Sequence, residues 1–325
     1  MNRMPQGRSS AHESSFLSSG LLEVELMDVG IVGTGNQIVR RVQQWQRIDH
    51  VSVVGITTTD GSVPDVEAPL YEDSRALMDS DIDAIDCVTG PTETCSVACP
   101  AIKNGIAVLL PWPVTNTVAE AEAIISAADQ TTTPVVGGLT PRFDPARRRA
   151  KERIANGTIG QVGNVRLRRR LFTGDIDPLV DVAALELDFL QWVCEDLDRV
   201  FVRRGDGIDA ILVTGRSTND TVFHLDTRHD QQDDLISFEF AGDAGLIEFD
   251  SRETAGVVTQ TGTLPPSDAD PMHRMLTHFH ECVVGEATPI ASASDATAAL
   301  RIGKALVQSE QRGAPVAVNK QRPNS

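Results

Sequence analysis

The sequence predicts an α/β protein with two folded domains: an N-terminal domain on a parallel sheet, and a C-terminal α+β domain on a largely antiparallel, open sheet. Three observations predict it. Between residues 29 and 138, short β-branched runs alternate with helical stretches, as in βαβ units. After residue 157, long strands with alternating polarity follow one another across turn signals. The chain of 325 residues is also long enough for two such cores.

The first domain is predicted over residues 27–145. Residues 1–26, rich in Ser, Gln and Arg, have little periodic apolar content and are predicted to form a disordered tail. The strands of this domain are predicted at 29–32, 51–56, 84–89, 107–110 and 134–138. Its helices are predicted at 37–46, 73–78, 95–104 and 118–128.

The second domain is predicted over residues 146–325. It begins with a helix at 146–156, which Gly157 ends. Strands are predicted at 163–172, 198–203, 210–215, 221–227, 234–240 and 244–250, with a helix at 179–194 between the first two. Two helices, 272–284 and 294–312, close the chain, and we expect them and the last strand to pack back toward the N-terminal domain.

Charge limits the partners. The chain has 46 acidic and 29 basic residues, a formal net charge of -17, which repels nucleic acid and anionic membranes. We therefore expect neither as a partner. Lys103, Lys151, Lys304 and Lys320 are the only lysines. An acidic chain with so few lysines is typical of a halophilic protein, whose self-repulsion concentrated salt screens, and an ordinary acidic protein is the alternative.

Cysteine usage indicates a reducing compartment. The five cysteines are odd in number and form no CxxC pair, so they predict neither a disulfide framework nor a zinc site. The spacing of His273, His278 and His280 does not place a pair of ligands on one helix face, and no metal is expected. No apolar run approaches the roughly 20 residues that cross a bilayer. These features predict a cytoplasmic protein.

A glycine turn is the first functional signal. Gly33, Thr34 and Gly35 follow the first strand, and Asn36 and Gln37 open a helix, which is the setting in which a pyrophosphate meets a helix N-terminus. The third glycine of that fingerprint is replaced by Ile38. The alternative is a tight turn that binds no dinucleotide.

The end of the second strand carries the second part of this signal. A carboxylate for ribose usually stands there, and this chain has Thr57 instead. Thr57 can still donate a hydrogen bond. Asp60, three residues later, could serve only if the loop curls back.

Several further segments resemble one family. The run from Val29 to Gly35, the strand end with Thr89 and Pro91, the Thr140–Pro145 stretch with Arg142, and the tail from Ser292 to Val316 resemble the Gfo/Idh/MocA oxidoreductases, such as glucose-fructose oxidoreductase and inositol dehydrogenase. The resemblance covers nearly all of residues 27–318. It implies NAD or NADP as cofactor, bound by the glycine turn with Thr57, Thr89 and Pro91, and hydride transfer with a sugar, polyol or related compound.

The resemblance also implies two catalytic positions that this chain has altered. The family's lysine belongs in a Glu-Lys-Pro turn, where this sequence reads Pro111, Trp112 and Pro113. The family's helix carries Asp and, four residues later, His; here Asp181 is kept and Leu185 replaces the histidine. Neither Trp112 nor Leu185 can move a proton. Asp181 remains the candidate base, and a helix cap or ion-pair partner is its alternative role.

Substrate contacts are predicted at Arg142, Asp181 and Arg168. Arg166, Arg168 and Arg170 alternate along one predicted strand, so they share a face that could receive an anionic group or pair with acidic residues. Two hypotheses remain open. The chain is either an NAD(P)-dependent oxidoreductase for a small molecule, or a catalytically deficient paralogue acting as a ligand-binding sensor or assembly subunit. In both cases we expect a homo-oligomer, dimer or tetramer, through the free face of the second sheet.

Overall fold

The structure is a computed structural model that describes residues 26–171, 177–205, 210–229, 234–253, 256–259, 262–264 and 270–318. The predicted tail therefore lies outside the described residues except for Leu26. The last residue of the strand predicted at 163–172 also lies outside them.

A five-stranded parallel sheet forms the first domain, in the order β2-β1-β3-β4-β5. Its strands are short, buried and rich in β-branched residues, as in a parallel sheet covered on both faces. They are β1 Met27–Gly33, β2 Val51–Thr58, β3 Ala84–Val88, β4 Ala107–Leu109 and β5 Val135–Val136. This arrangement confirms the predicted Rossmann-like domain.

Helices cover both faces of this sheet. They are α1 Gly35–Trp45, α2 Ser74–Met78, α3 Thr94–Lys103 and α4 Val118–Ala128. α1 buries Ile38, Val42 and Trp45, which are spaced along one helical face. α4 begins at a capping box in which Thr117 and Glu120 satisfy each other's backbone N–H groups.

The second domain begins with a helical segment and a long strand. A 3₁₀ turn at Thr140–Phe143 leads into α5 Pro145–Ala155, and β6 Val162–Leu171 follows. A π-helical turn at Pro178–Ala183 then runs into α6 Ala184–Cys194. The sequence predicted one helix over 179–194, and the structure divides it between these two forms.

Nine strands form the second sheet, in the order β13-β12-β11-β10-β6-β9-β8-β7-β14. The later ones are β7 Leu197–Arg204, β8 Ala210–Ser217, β9 Val222–His229, β10 Leu235–Gly242, β11 Leu246–Asp250, β12 Val257–Thr259, β13 Gly262–Leu264 and β14 Val316–Ala317. Neighbours are antiparallel except β6 and β9, which run parallel. The largely antiparallel sheet is thus confirmed, while β12 and β13 were not predicted.

The last helices join the two domains. α7 Pro271–Val283 adds Met275, Leu276 and Phe279 to the core on the α1 face of the first sheet. α8 Ala293–Arg312 packs its first half against α4 and its second half in the core of the second domain. The last strand does not pack toward the first domain as expected, because β14 pairs with β7 at the edge of the second sheet.

A buried arginine links these elements. Arg142 donates from Nε and Nη2 to the two carboxylate oxygens of Asp188 on α6, at 2.9 and 2.7 Å. Its Nη1 lies 3.1 Å from Asp295 on α8 and donates to the Ile290 carbonyl oxygen at 3.1 Å. Arg142 is 2% exposed and Asp188 is fully buried. The bidentate geometry and the further acceptors satisfy a guanidinium that burial would otherwise make very costly.

Within the described residues, no helix is long and apolar enough to cross a membrane. The same part of the chain contains no cluster of three or more His, Cys, Asp or Glu residues placed to hold a metal ion.

Removing one partner of the buried pair should destabilise the protein. We expect Asp188→Ala to lower the free energy of unfolding by about 3–5 kcal/mol, because Arg142 would keep a buried charge without its bidentate acceptor. Chemical denaturation followed by circular dichroism measures this. Asp198→Ala is the matched control, since Asp198 pairs with the exposed Arg199 and Arg216 and should matter far less. An equal effect of both substitutions would contradict the role given to Asp188.

Candidate functional site

The order of strands in the first sheet creates a crevice. β1 lies between β2 and β3, so the connections after β1 and β3 leave to opposite sides of the sheet. Ligands of open α/β sheets bind at the carboxyl ends of the strands where this reversal occurs. Gly33 and Val88 end the two strands and are paired in register there.

The glycine turn fits closely into this crevice. A Cβ on Gly33 would lie 2.3 Å from the Val88 carbonyl oxygen, and one on Gly35 would lie 2.2 Å from Ser62 Oγ. Thr34 caps α1 without a side-chain hydrogen bond, and the first turn of the helix contains no acidic residue. No side chain of α1 itself occupies its N-terminus, which can therefore meet an anion from elsewhere, such as a carboxylate or a pyrophosphate.

The loop after β2 does curl back over this turn. The Thr59 N–H donates to the Gly33 carbonyl oxygen at 2.8 Å, which brings Asp60 beside the helix. Asp60 Oδ2 accepts from the Gly35 N–H at 3.4 Å, and its Oδ1 accepts from Ser62 Oγ at 2.6 Å. The Ser62 hydrogen bonds hold the pKa of the Asp60 carboxyl below its ordinary value. The ionised Asp60 carboxylate thus lies beside the glycine turn, where the ribose of a bound dinucleotide would be expected.

The other residues predicted to bind the cofactor differ in their burial and in their position relative to the crevice. Thr57 is buried and its hydroxyl donates to the Asp73 carbonyl oxygen, so the structure corrects the prediction of Thr57 as a ribose contact. Thr89 is buried at the crevice, with its Oγ1 2.9 Å from Thr94 Oγ1. Asn36 and Gln37 are exposed on the first turn of α1, and Pro91 is half-buried before α3.

A cleft of about 770 Å³ continues from the crevice into the second domain. Its walls come from α1, the β4–α4 connection, the 3₁₀ turn, α5, β6, the π-helical turn and α7. Gln37 and Thr89 line it at the end near the glycine turn. The cleft is large enough for a sugar-sized molecule.

The three altered or retained catalytic positions meet in this cleft. Trp112, Asp181 and Leu185 all line it, although Trp112 precedes the other two by about 70 residues in the chain. Trp112 is half-buried and packs against all three hydrophobic cores, and the peptide bond between it and Pro113 is cis. In the described part of the chain, no lysine and no histidine lines the cleft.

Asp181 has the surroundings of a group that can accept a proton. Burial raises the pKa of its carboxyl above the ordinary value of 3.8. Its Oδ2 accepts from the Asp177 N–H at 3.0 Å, as in a helix cap. Of the other carboxylates on the described wall, Asp144 caps α5 and Glu186 pairs with Arg147. Asp144 and Asp181 thus each use one oxygen in a cap, and Asp181 is the one at the position predicted to be catalytic.

One arginine of the cleft, Arg41, is held in place by a buried carboxylate. Arg41 on α1 lines the wall, and its Nε lies 3.3 Å from Oδ2 of Asp86, a fully buried residue in the middle of β3. Trp45 Nε1 donates to the same oxygen at 2.8 Å. Burial raises the pKa of Asp86, while Arg41 and Trp45 favour its charged form. Asp86 thus positions the Arg41 guanidinium at the cleft.

Two predicted substrate contacts do not reach the cleft. Arg142 is committed to the buried pair described above and does not line the cleft, so the structure assigns it an architectural role. Arg168 is exposed on the outer face of the second sheet. Because side chains alternate along a strand, its neighbour Arg169 points to the inner face and lines the cleft instead.

The sequence reasoning missed four wall or support residues: Asp86, Arg147, Arg169 and Glu186. A charged residue inside the apolar run of β3 was a usable signal, since a buried carboxylate requires partners. Arg147 and Glu186 gave no such signal, because charged positions on helices are ordinarily solvated.

Comparison with known proteins identifies the fold and the cofactor class. Residues 27–138 match the family model described as the oxidoreductase family with an NAD-binding Rossmann fold, GFO_IDH_MocA. The match spans the first domain, which accordingly has the NAD-binding Rossmann fold of that family. Among the chain's relatives, the NAD(+)-dependent scyllo-inositol 2-dehydrogenase of Bacillus subtilis is 26% identical over 282 residues, which cover 76% of this chain and 81% of that one.

Solved structures of the same fold span both domains. The scyllo-inositol dehydrogenase of Lactobacillus casei, solved with NAD(H) and scyllo-inositol, superposes with a TM-score of 0.76 at 17% identity and covers 90% of this chain and 99% of that one. The myo-inositol 2-dehydrogenase of Lactobacillus plantarum superposes with a TM-score of 0.75 at 19% identity. The match covers 91% of this chain and 100% of that one. At these identities the Gfo/Idh/MocA fold is shared, and the substrate of this chain must be argued from its own residues.

Proposed function

We propose that this protein is an NAD-dependent oxidoreductase that acts on a small sugar- or polyol-like substrate, with Asp181 as the proton acceptor. The observation that supports it most is the position of Asp181, half-buried in a sugar-sized cleft that opens from the glycine turn. The relatives reported above are named as inositol dehydrogenases, which act on a polyol of matching size.

The residues around the turn fit a nicotinamide dinucleotide. Gly33 and Gly35 form the tight turn at the N-terminus of α1, where a pyrophosphate would replace Asp60 as the acceptor from the Gly35 N–H, and Asp60 would then accept hydrogen bonds from the ribose hydroxyls. The cofactor supplies the acceptor for a hydride from the substrate carbon. Because the Asp60 carboxylate would repel a ribose 2′-phosphate, we expect NAD to be preferred over NADP.

In the proposed reaction, the substrate hydroxyl gives its proton to Asp181 as its carbon is oxidised. The partial burial that raises the pKa of Asp181 makes it a stronger base than an exposed aspartate. Trp112 closes one wall with its ring and excludes water, but it provides no positive charge for a developing alkoxide. Turnover is therefore expected to be slow for this family.

Removing the Asp60 charge should weaken NADH binding and its discrimination from NADPH. We expect Asp60→Asn to raise the Kd for NADH at least about tenfold, since hydrogen bonds to a charged group contribute about 1.5–3 kcal/mol. Fluorescence titration with each nucleotide measures both effects. Asp129→Asn, at the exposed end of α4, is the matched control. An unchanged NADH to NADPH ratio would remove Asp60 from the site.

Removing the proton acceptor should stop turnover without preventing NADH binding. We expect Asp181→Asn, which keeps the cap to Asp177, to lower kcat by about 10²–10⁴. In the wild type, kcat/KM should rise with pH as Asp181 loses its proton, at a pH above the ordinary 3.8 of an aspartate. A panel of inositols, sugars and polyols with NAD provides the assay. Equal turnover by the wild type and Asp181→Asn would show that another group moves the proton.

Trp112 and Leu185 favour a second candidate, a catalytically deficient paralogue that serves as a ligand-binding sensor or assembly subunit. Both occupy positions where the family resemblance implies a lysine and a histidine, and both line the cleft. This candidate is supported if the wild type binds NADH yet turns over no member of the panel.

The double substitution Trp112→Lys with Leu185→His tests whether those two positions limit catalysis. We expect it to raise turnover above that of the wild type, and each single substitution to do almost nothing, because residues that act as a unit contribute non-additively. Circular dichroism and NADH titration must first show that the double variant is folded, since losing a packed Trp112 ring costs about 3–5 kcal/mol. A folded, NADH-binding but inactive double variant would contradict the idea that these positions alone are missing.

We also propose a homo-oligomeric, cytoplasmic protein adapted to high salt. The outer face of the second sheet holds a hollow of about 850 Å³ lined by residues of both charges, including Arg166, Arg168, Glu239 and Glu248. An open sheet face of this kind suits a self-complementary interface. The charge of -17 and the scarcity of lysine support the salt adaptation.

A further inference from the structure

We infer that the substrate carries a carboxylate, which the cleft receives at Arg147 and Arg169. This inference deepens the proposed function and rests on it, since it concerns the same cleft. It follows from the charges and the unpaired hydrogen-bond donors of the wall, not from the substrates of related enzymes.

The two arginines share a single buried acid. Arg147 Nη2 donates to both oxygens of Glu186, at 2.7 and 2.9 Å. Arg169 Nε lies 4.0 Å from the same carboxylate, too far for a hydrogen bond. The remaining bonds of Arg169 Nη1 go to the carbonyl oxygens of Arg170 and Leu235, and Asp234, which is mostly exposed, lies 4.0 Å away.

This part of the wall therefore has an excess of positive charge. Two guanidinium groups face one buried carboxylate, in a region where water screens charge poorly. Burial is the main cause that lowers the pKa of Arg169; Glu186 and then Asp234 oppose this shift, and repulsion from Arg147 adds to it least. An anion in the cleft would relieve this imbalance. A carboxylate carries the one negative charge that the excess requires, whereas a phosphate ester carries nearly two.

Two hydrogen-bond donors of the same wall lack acceptors. Trp112 Nε1 and Arg147 Nε are buried and have no partner among the described residues. Buried donors are almost always satisfied, so each such group requires an explanation. Both residues line the cleft. A ligand rich in acceptor oxygens, such as a sugar acid, would satisfy donors that a purely apolar ligand would leave unpaired.

Two other arginines near the cleft are paired with carboxylates, whereas Arg40, which is exposed, lines the cleft from α1. Arg142 is paired with Asp188 and Asp295, and Arg41 with Asp86. On the second-domain wall, Arg147 and Arg169 share one buried carboxylate, in a protein whose formal net charge is -17. The acidic surface repels anions, so an anionic ligand would be attracted only at the arginines of the cleft.

Matched pairs of ligands test the inference. Binding of D-glucuronate and D-glucose, and of D-gluconate and D-glucitol, is measured by isothermal titration calorimetry and saturation-transfer NMR, with and without NADH. We expect the acid of at least one pair to bind at least tenfold more tightly than its neutral partner. D-Glucose 6-phosphate serves as the phosphate arm and should bind more weakly than the preferred acid.

Substitution of the arginine locates the effect. Arg169→Gln should abolish the preference for the acid, while Arg169→Lys, which keeps the charge, should retain part of it. Arg168→Gln is the matched control, because Arg168 is the next residue on the same strand and lies on the opposite face. Thermal unfolding and NADH titration of each variant separate a lost binding group from a lost fold. If Arg169→Gln does not fold, the Arg169→Lys result decides.

The outcomes separate this inference from the proposed function. Equal affinity for acid and neutral partner, tighter binding of the phosphate, an unchanged preference in Arg169→Gln, or no binding of any acid while NADH binds would each overturn the carboxylate inference. A preference for the acid in a protein that binds no NADH would support the cleft assignment but overturn the proposed oxidoreductase function.

Discussion

The position of the cleft depends on the buried ion pair between Arg142 and Asp188. Arg142 lies in the 3₁₀ turn that leaves the first sheet, Asp188 lies on α6 of the second domain, and Asp295 lies on α8, which spans both cores. One guanidinium thereby fixes the relative placement of three elements. Because an unpaired charge at that depth would be very unfavourable, the pair enforces one arrangement of the two domains.

With the domains held in this way, each of them supplies part of the wall of the cleft. The parallel sheet supplies the glycine turn, Asp60 and the support of Arg41 by Asp86. The second domain supplies Asp181 on its π-helical turn and the group of Arg147, Arg169 and Glu186. Cofactor chemistry and substrate recognition are thus divided between the domains, and they meet at Trp112, which packs against all three cores.

The retained and altered residues favour recognition over fast chemistry. An aspartate with a raised pKa can accept a proton, but no lysine or histidine of the described wall assists it. Two buried donors of the wall, Trp112 Nε1 and Arg147 Nε, have no acceptor among the described residues. Such an oxidoreductase would bind a negatively charged ligand with many hydrogen-bond acceptors well. It would transfer the ligand's proton to Asp181 without a lysine or histidine to assist.

The sequence by itself determined the fold class, the glycine turn, and the substitution of Trp112 and Leu185, because these follow from local periodicity and from residue identity at matched positions. The tertiary structure decided the rest. Asp60 reached the turn only because the loop after β2 folds back, and Thr57 was buried by that same strand. Arg169, not Arg168, entered the cleft because the register of β6 turns alternate side chains to opposite faces. Asp86, Arg147 and Glu186 acquired their roles from partners 39 to 45 residues away in the chain, and no local pattern encodes such contacts.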